Sequence, residues 1–290
     1  MRVDTKVIDR LEASVEKLRK HLQGRHNQLT HGRGGGRSRS SGPGEIALSP
    51  DERAALDGTG SSGRNGKYVR ERQKELLSEE VLEQGRKASK SSEINEYRNY
   101  GANAANGYLI SGKLTRTDFK PDGTKYTKKS VEKLIDRLDE QLSDAPPIPE
   151  GIVLYSGLGA RGGRALSKVD VGDEFEVPGY LSTSLDPSVA HEFSHAYESG
   201  GKDHSAVVRV KTDGKMRGHY LGFGRLKGEE EVLLSRGSKF RVTDVQTMRS
   251  KVWLKEGRSK STADKLKPDE DPWNHKYKVD YKVITVEPVS

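Results

Sequence analysis

Apolar positions divide the chain into regions with different periods. Val7, Leu11, Val15, Leu18 and Leu22 recur at spacings of three and four, one stripe on an otherwise charged helix over residues 5–23. Such a helix must pack on something, and a helical partner or the main domain suits it better than a membrane. Residues 24–66 lose the period. Glycine, serine and arginine alternate there with turn residues, which predicts a linker holding one brief helix after Ser49-Pro50. Helical spacing returns at residue 67 in "KYVRERQKELLSEEVLEQGRK" and again in "SSEINEYRNYGANAANGYLISGKL", whose middle is softened by glycine. After a turn at "KPDGTK", Val131, Leu134, Leu138 and Leu142 mark one face of a further helix. Pro146 and Pro147 end it, since proline cannot continue the hydrogen-bond ladder.

Beyond that point the period shortens. "IVLYSGLG", "EFEVPGYLSTS", "HSAVVRVKT", "EEEVLLSRG", "SKFRVTDVQ" and "KVDYKVITVEPV" read as short strands divided by Gly, Pro and Asp. A single helix, "DPSVAHEFSHAYES", interrupts them. Helices first and strands afterwards predict an α+β domain rather than alternating βαβ units. No G-x-G-x-x-G follows a first strand and no G-x-x-x-x-G-K-[ST] occurs, which argues against the common nucleotide-binding folds. The organisation that follows is an N-terminal helix over 1–23, a linker over 24–66 and a folded domain over 67–290.

Composition sharpens this division. Hydrophobic residues at 31% against 32% charged are too few for a compact core using the whole length, so part of the chain must lie outside it. The absence of cysteine excludes disulfides, thiolate catalysis and cysteine-ligated metals. A net charge of +8 serves solubility, or contact with an acidic partner or nucleic acid. "GRGGGRSRSS" could meet phosphates, although it lacks interleaved aromatic residues to stack bases. No apolar run approaches spanning length, so the expectation is a soluble, cytoplasmic protein without a membrane partner.

Candidate chemistry concentrates in two stretches. In "PGYLSTSLDP", Ser182, Thr183 and Ser184 fill a short strand with hydroxyls, a poor choice for packing but a good one for a cleft wall that donates hydrogen bonds. They can equally cap the helix that starts near Asp186-Pro187. In "GEEEVLLSRG", strand alternation sends Glu229 and Glu231 to one side and Glu230 to the other. The plain reading is an acidic loop entering an edge strand; the functional one is a site that wants negative charge for a cation. "HEFSH" puts His191 and His195 on one helical face with Glu192 between them, matching the zinc-protease pattern but with no convincing third ligand.

Order, spacing and flanks of these stretches resemble one family, the mono-ADP-ribosyltransferases of bacterial toxins, bacteriophages and vertebrate ectoenzymes, in their arginine–serine–glutamate class. The resemblance covers roughly residues 78–288 and rests on four segments: "INEYRNYGANAANGYLISGK", "SVEKLIDRLDEQLSDAPPIPEGIVLYSGLG", "GYLSTSLDPSVAHEF" and "GEEEVLLSRGSKFRV". It implies a transferase domain over 67–290, with a helical N-terminal part packed on a split core of two small, mostly antiparallel sheets. It also implies NAD as substrate. Carried over by position, Ser182 organises the NAD cleft, and Thr183 and Ser184 complete that element. Glu231 stabilises the oxocarbenium-like ribose, and Glu229 serves arginine acceptors. Phe193 is a candidate support for the nicotinamide, or simply a helix-core residue.

One position departs from the family's pattern. Where an aromatic residue, Arg and Gly are expected at the end of the first catalytic strand, this chain has Tyr155, Ser156 and Gly157. Serine lacks the charge and forked donors that brace NAD phosphates. Arg161 and Arg164, just beyond, are the candidates to supply them.

The expected activity is therefore transfer of ADP-ribose from NAD to arginine side chains of a protein partner. The positive charge adds possible electrostatic contact with ribosome, polymerase or nucleic-acid assemblies as partners. The expected settings are the cytoplasm of a host cell, reached as an effector or as a phage product packaged in the virion. The competing readings are a nucleic-acid-binding or scaffolding protein with a degenerate transferase fold, and ADP-ribosylation of nucleic acid. Glutamate rather than glutamine at 229 disfavours modification of a base.

Overall fold

The computed structural model describes residues 47–57, 62–115, 118–120, 122–195, 206–223, 228–253 and 276–289. The helix expected over 5–23, and the linker as far as residue 46, lie outside them. Over residues 47–57 and 62–66 the structure corrects that linker. Ser49 caps helix α1 (Pro50–Leu56) through a reciprocal capping box, with Ser49 N–H on Glu52 Oε2 at 2.8 Å and Glu52 N–H on Ser49 Oγ at 3.2 Å. Ala55 and Leu56 are fully buried, so the folded domain takes in residues well before 67. Composition hid this because one apolar turn is enough to anchor so short an element.

The helix expected from residue 67 is two helices, α2 (Ser62–Glu75) and α3 (Glu79–Ala88). Ser78 separates them by accepting a hydrogen bond from Val81 N–H, with Glu79 and Glu80 favourably placed at the positive helix start. The glycine-softened helix resolves into α4 (Ser92–Glu96), a π-helical turn (Tyr97–Gly101) and α5 (Ala102–Ser111). A Cβ on Gly101 would come within 2.7 Å of Leu134, so the turn lies against the next helix only because that side chain is missing. Helix α6 (Lys128–Ser143) buries Val131, Leu134, Leu138 and Leu142, the stripe its spacing predicts.

The strands form one eight-stranded sheet. In chain order they are β1 (Val153–Leu158), β2 (Glu174–Val177), β3 (Leu181–Ser184), β4 (Ala206–Lys211), β5 (Gly218–Tyr220), β6 (Glu231–Leu234), β7 (Ser238–Trp253) and β8 (Lys276–Pro288). Across the sheet the order is β2-β7-β8-β4-β1-β3-β6-β5. Among the described residues only β4 and β8 pair in parallel. The two small sheets expected are one sheet in two halves, β2-β7-β8-β4-β1 and β3-β6-β5, joined at a thin seam: β1 and β4 share a continuous register from Val153↔Lys211 to Leu158↔Ala206, whereas β1 meets β3 at the single pair Tyr155↔Ser184. Two elements had no counterpart in the sequence reading, the short strand β5 and helix α7 (Ala160–Ala165).

Helix α8 (Pro187–His195) closes against β1. A Cβ on Gly157 would stand 2.0 Å from Ala190 O, so glycine is what lets helix and strand touch. Three apolar clusters result. The largest fills the sheet around Leu154, Leu181, Val208, Val232 and Ile284. The second joins α5 and α6 to β3 and β6 through Tyr180 and Leu233. The third seats α1 on the first sheet half through Leu56, Tyr155 and Val207.

Candidate active site

Strand pairing places the candidate residues. Ser182 lies opposite Leu233 and Ser184 opposite Glu231 in the β3–β6 ladder, so Ser182, Ser184, Glu231 and Leu233 share one face. Leu233 and Tyr180 identify that face, since both pack in the helical cluster with Tyr97. Ser182 is exposed while Thr183 and Ser184 are buried.

The hydroxyls divide their work. Thr183 Oγ1 donates to Val232 O at 2.7 Å and Ser184 Oγ donates to Glu229 O at 2.6 Å. Ser184 Oγ also accepts from Asp186 N–H at 2.9 Å, which ties the acidic segment to the start of α8. These two residues therefore fix backbone, leaving Ser182 as the hydroxyl at the open surface. Tyr97 stands beside it. Its buried hydroxyl meets the Ser182 side chain and accepts from Asn106 Nδ2 at 3.1 Å. Burial first, then the charge of Glu231, pushes the Tyr97 phenol well above its ordinary value, so it stays neutral. Asn106 also receives Tyr180 N–H at 2.9 Å and donates to Tyr180 O at 3.2 Å, locking α5 to the strand that carries Ser182.

The acidic segment does not alternate as an ordinary strand, although its side chains divide as alternation predicts. Glu230 adopts φ 46°, a left-handed conformation unusual for a residue with a Cβ, and regular pairing begins only at Glu231. The Glu230 carboxylate is buried on the far side, held by Tyr220 OH, by Lys74 Nζ at 3.4 Å and by Arg70 Nε at 3.8 Å. Glu229 and Glu231 face the helical layer instead, where both meet Arg98. Arg98 Nε lies 2.7 Å from Glu231 Oε2, and NH2 of the same guanidinium lies 4.0 Å from Glu229 Oε2. The Arg98 side chain is 4% exposed and that of Glu231 9%, against 36% for Glu229. Burial, followed by the charge of Glu231 and partly offset by Arg98, raises the Glu229 carboxyl above its ordinary value.

Several expected residues sit elsewhere. Tyr155 does not line this cleft: it is fully buried, and its hydroxyl donates to Glu52 Oε1 at 2.5 Å beneath α1. Its cross-strand neighbour Arg209 binds the same oxygen through Nε at 2.7 Å, so the buried Glu52 carboxylate holds both. Ser156 is buried and donates to Ser182 O at 2.9 Å, a side-chain bond across the seam where the backbone ladder is thinnest. Gly157 is the contact point for α8. Arg164 lies exposed on α7, and the Arg161 side chain is outside the described residues. Phe193 is 43% exposed on α8, which excludes the helix-core alternative. His191 is buried with its ring 5.5 Å from Tyr281, while the His195 side chain is outside the described residues. Among the described residues no group of three His, Cys, Asp or Glu is placed to hold a metal, and no helix is long and apolar enough to cross a membrane.

Arg98 and Tyr97 were missed by sequence reasoning. One signal was available: Arg98 is the only basic residue between Ser92 and Gly112, in a stretch otherwise rich in Asn, Ala and Gly.

The profile of the ADP-ribosyltransferase exoenzyme family matches residues 67–268, and the chain belongs to that family, whose toxins use NAD as substrate. Solved structures similar to it include Vis toxin, an ADP-ribosyltransferase from Vibrio splendidus, at 18% identity and TM-score 0.45, covering 81% of this chain and 90% of that one. The ADP-ribosylating toxin BECa of a Clostridium perfringens binary enterotoxin, solved with NADH, is similar at 16% identity and TM-score 0.45, covering 79% of this chain and 48% of its own. Plx2a of Paenibacillus larvae, another ADP-ribosyltransferase toxin, gives 17% identity and TM-score 0.41 over 83% of this chain and 97% of that one. No curated protein matches the chain.

Proposed function

We propose that this chain transfers ADP-ribose from NAD to arginine side chains of target proteins, with Glu231, Glu229 and Ser182 as its catalytic residues. The observation that carries this reading is the convergence of Glu229 and Glu231 on one guanidinium while Glu230 is turned away.

In this reading the bond between ribose C1′ and the nicotinamide nitrogen breaks first, and its electron pair leaves with nicotinamide. Positive charge develops on the ribose. The fixed carboxylate of Glu231 stabilises that charge more than it stabilises intact NAD, which is the condition for lowering the barrier. Ser182 and Tyr97 orient the sugar from beside it.

The acceptor guanidinium is protonated in bulk water and attacks only as it loses a proton. Glu229, more exposed than Glu231, pairs with the incoming side chain, aims one nitrogen at C1′ and accepts the proton as the new bond forms. The raised Glu229 carboxyl suits proton acceptance nearer neutrality. Thr183, Ser184 and Ser156 serve the site by fixing the backbone of β3 and the acidic segment.

Incubation of the wild type and of Glu231→Ala with labelled NAD and a bacterial lysate, followed by mass-spectrometric mapping, tests the reading. Label on arginine that disappears in the variant supports it. Label on lysine, serine or nucleic acid overturns the role of Glu229, and equal background in both proteins overturns the enzyme.

A further inference from the structure

We infer that Arg98 is a positioning residue for the transfer, holding Glu231 and Glu229 side by side through one buried guanidinium. The inference rests on the transferase reading and deepens it, since neither the sequence pattern nor the two glutamates alone assign this residue.

Two carboxylates that must face one cavity repel each other, and the pair needs a fixed cation. Arg98 fits on burial and on distance. It is almost wholly removed from solvent, it binds Glu231 through Nε at 2.7 Å, and its NH2 reaches to 4.0 Å from Glu229. That NH2 is itself buried without a hydrogen-bond partner among the described residues. A buried donor left unpaired is costly, and each one calls for an explanation. The 4.0 Å separation is too long for a hydrogen bond but within ion-pair range, so the same guanidinium acts on both carboxylates.

The backbone delivers Arg98 for a physical reason. It stands in the π-helical turn between α4 and α5, beside Tyr97, and turns of this kind inside α-helices recur at functional sites. Gly101 lets the turn press on α6, which fixes its depth.

Three other arginines do not serve this pair. Arg209 is bound to Glu52, Arg70 lies with Asp186 and Glu230 on the far side, and Arg164 is exposed. Ser156 carries no charge, and its hydroxyl is taken by Ser182 O. The fork of arginine matters as well as its charge, because a lysine ammonium is a single point that cannot span both carboxylates in fixed geometry.

The test compares full-length wild type, Arg98→Lys and Arg98→Gln for nicotinamide release from NAD and for modification of agmatine, with thermal melting as the check on folding. The expected result is a kcat about 100-fold lower in Arg98→Gln at unchanged KM for NAD, the scale of an ångström-sized misplacement, with Arg98→Lys between the two. A merely structural role would not move the pH profile. Glu229 is faced by the Glu231 carboxylate and by Arg98, so losing the cation raises its carboxyl further and moves the acidic limb of agmatine modification to higher pH. A wild-type kcat in folded Arg98→Gln, a change confined to KM, or an unmoved acidic limb overturns the inference. If Arg98→Gln does not fold, a wild-type kcat in Arg98→Lys overturns it and an intermediate kcat at unchanged KM supports it. A wild type that releases no nicotinamide overturns the transferase reading and this assignment with it, an outcome recognisable because every protein is then silent.

Discussion

Two buried carboxylate–guanidinium pairs lie on the two halves of this sheet, and they are finished differently. In the first half Arg209 Nε meets Glu52 Oε1 at 2.7 Å; in the second Arg98 Nε meets Glu231 Oε2 at the same distance. Glu52 is saturated. Oε1 also accepts from Tyr155 OH, and Oε2 accepts from Ser49 N–H at 2.8 Å and from Arg209 NH2 at 3.4 Å. Burial opposes its charge, but Arg209, Tyr155 and the Ser49 N–H outweigh burial and leave its carboxyl below the ordinary range. Glu231 has Arg98 on one oxygen, and a second acid, Glu229, shares the same cation. A carboxylate with both oxygens taken is a structural rivet between α1 and the sheet, although Arg209 NH1 stays buried there without a hydrogen-bond partner among the described residues. A carboxylate left open on one oxygen, with a like charge brought to it, is what the proposed transfer asks of Glu231.

Breaking each pair should therefore cost different things. The largest effect belongs to Glu231→Gln, which keeps an amide oxygen near Arg98 and should lower nicotinamide release by about 10³-fold or more. The fold should survive, because Glu229 stays within reach of Arg98; circular dichroism with a nicotinamide-release assay checks both halves of the statement. Glu52→Ala should do the reverse. It leaves Arg209 buried and uncompensated, which costs about 3–5 kcal/mol, read as a shift in urea midpoint with kcat of the folded fraction unchanged.

A smaller effect sharpens the contrast. His191 packs in the same half as Glu52, and burial lowers its pKa from 6.5 to about 4. The unfolded chain then binds a proton between those values while the folded chain does not. Stability should fall as pH drops from 6.5 toward 4, by about 3 kcal/mol in all, and level off below. Replacing His191 with Phe should flatten that part of the stability–pH curve; an unchanged slope would assign the acid sensitivity to other groups.

What the sequence made legible follows range. The stripe Val131–Leu142 and the hydroxyl run at 182–184 are local patterns, and local patterns survive folding because neighbouring residues settle their geometry. The division of Glu229 and Glu231 from Glu230 was also readable, although a left-handed Glu230 rather than plain alternation produces it. Arg98 and Glu52 were not legible, because their partners lie 133 and 157 residues away and nothing in a window of sequence marks them. Tyr155 was misplaced for the same reason: its fate depends on a helix of seven residues inside what composition presented as linker.

The most direct measurement sets Glu229→Gln against the wild type in two assays run side by side, nicotinamide release in water and ADP-ribosylation of agmatine. Two acids with separate tasks predict that agmatine modification falls about 100-fold, the scale of a lost general base, while release from NAD stays near the wild-type rate. An equal fall in both assays would contradict separate roles for Glu229 and Glu231, and the account of the open pair with them.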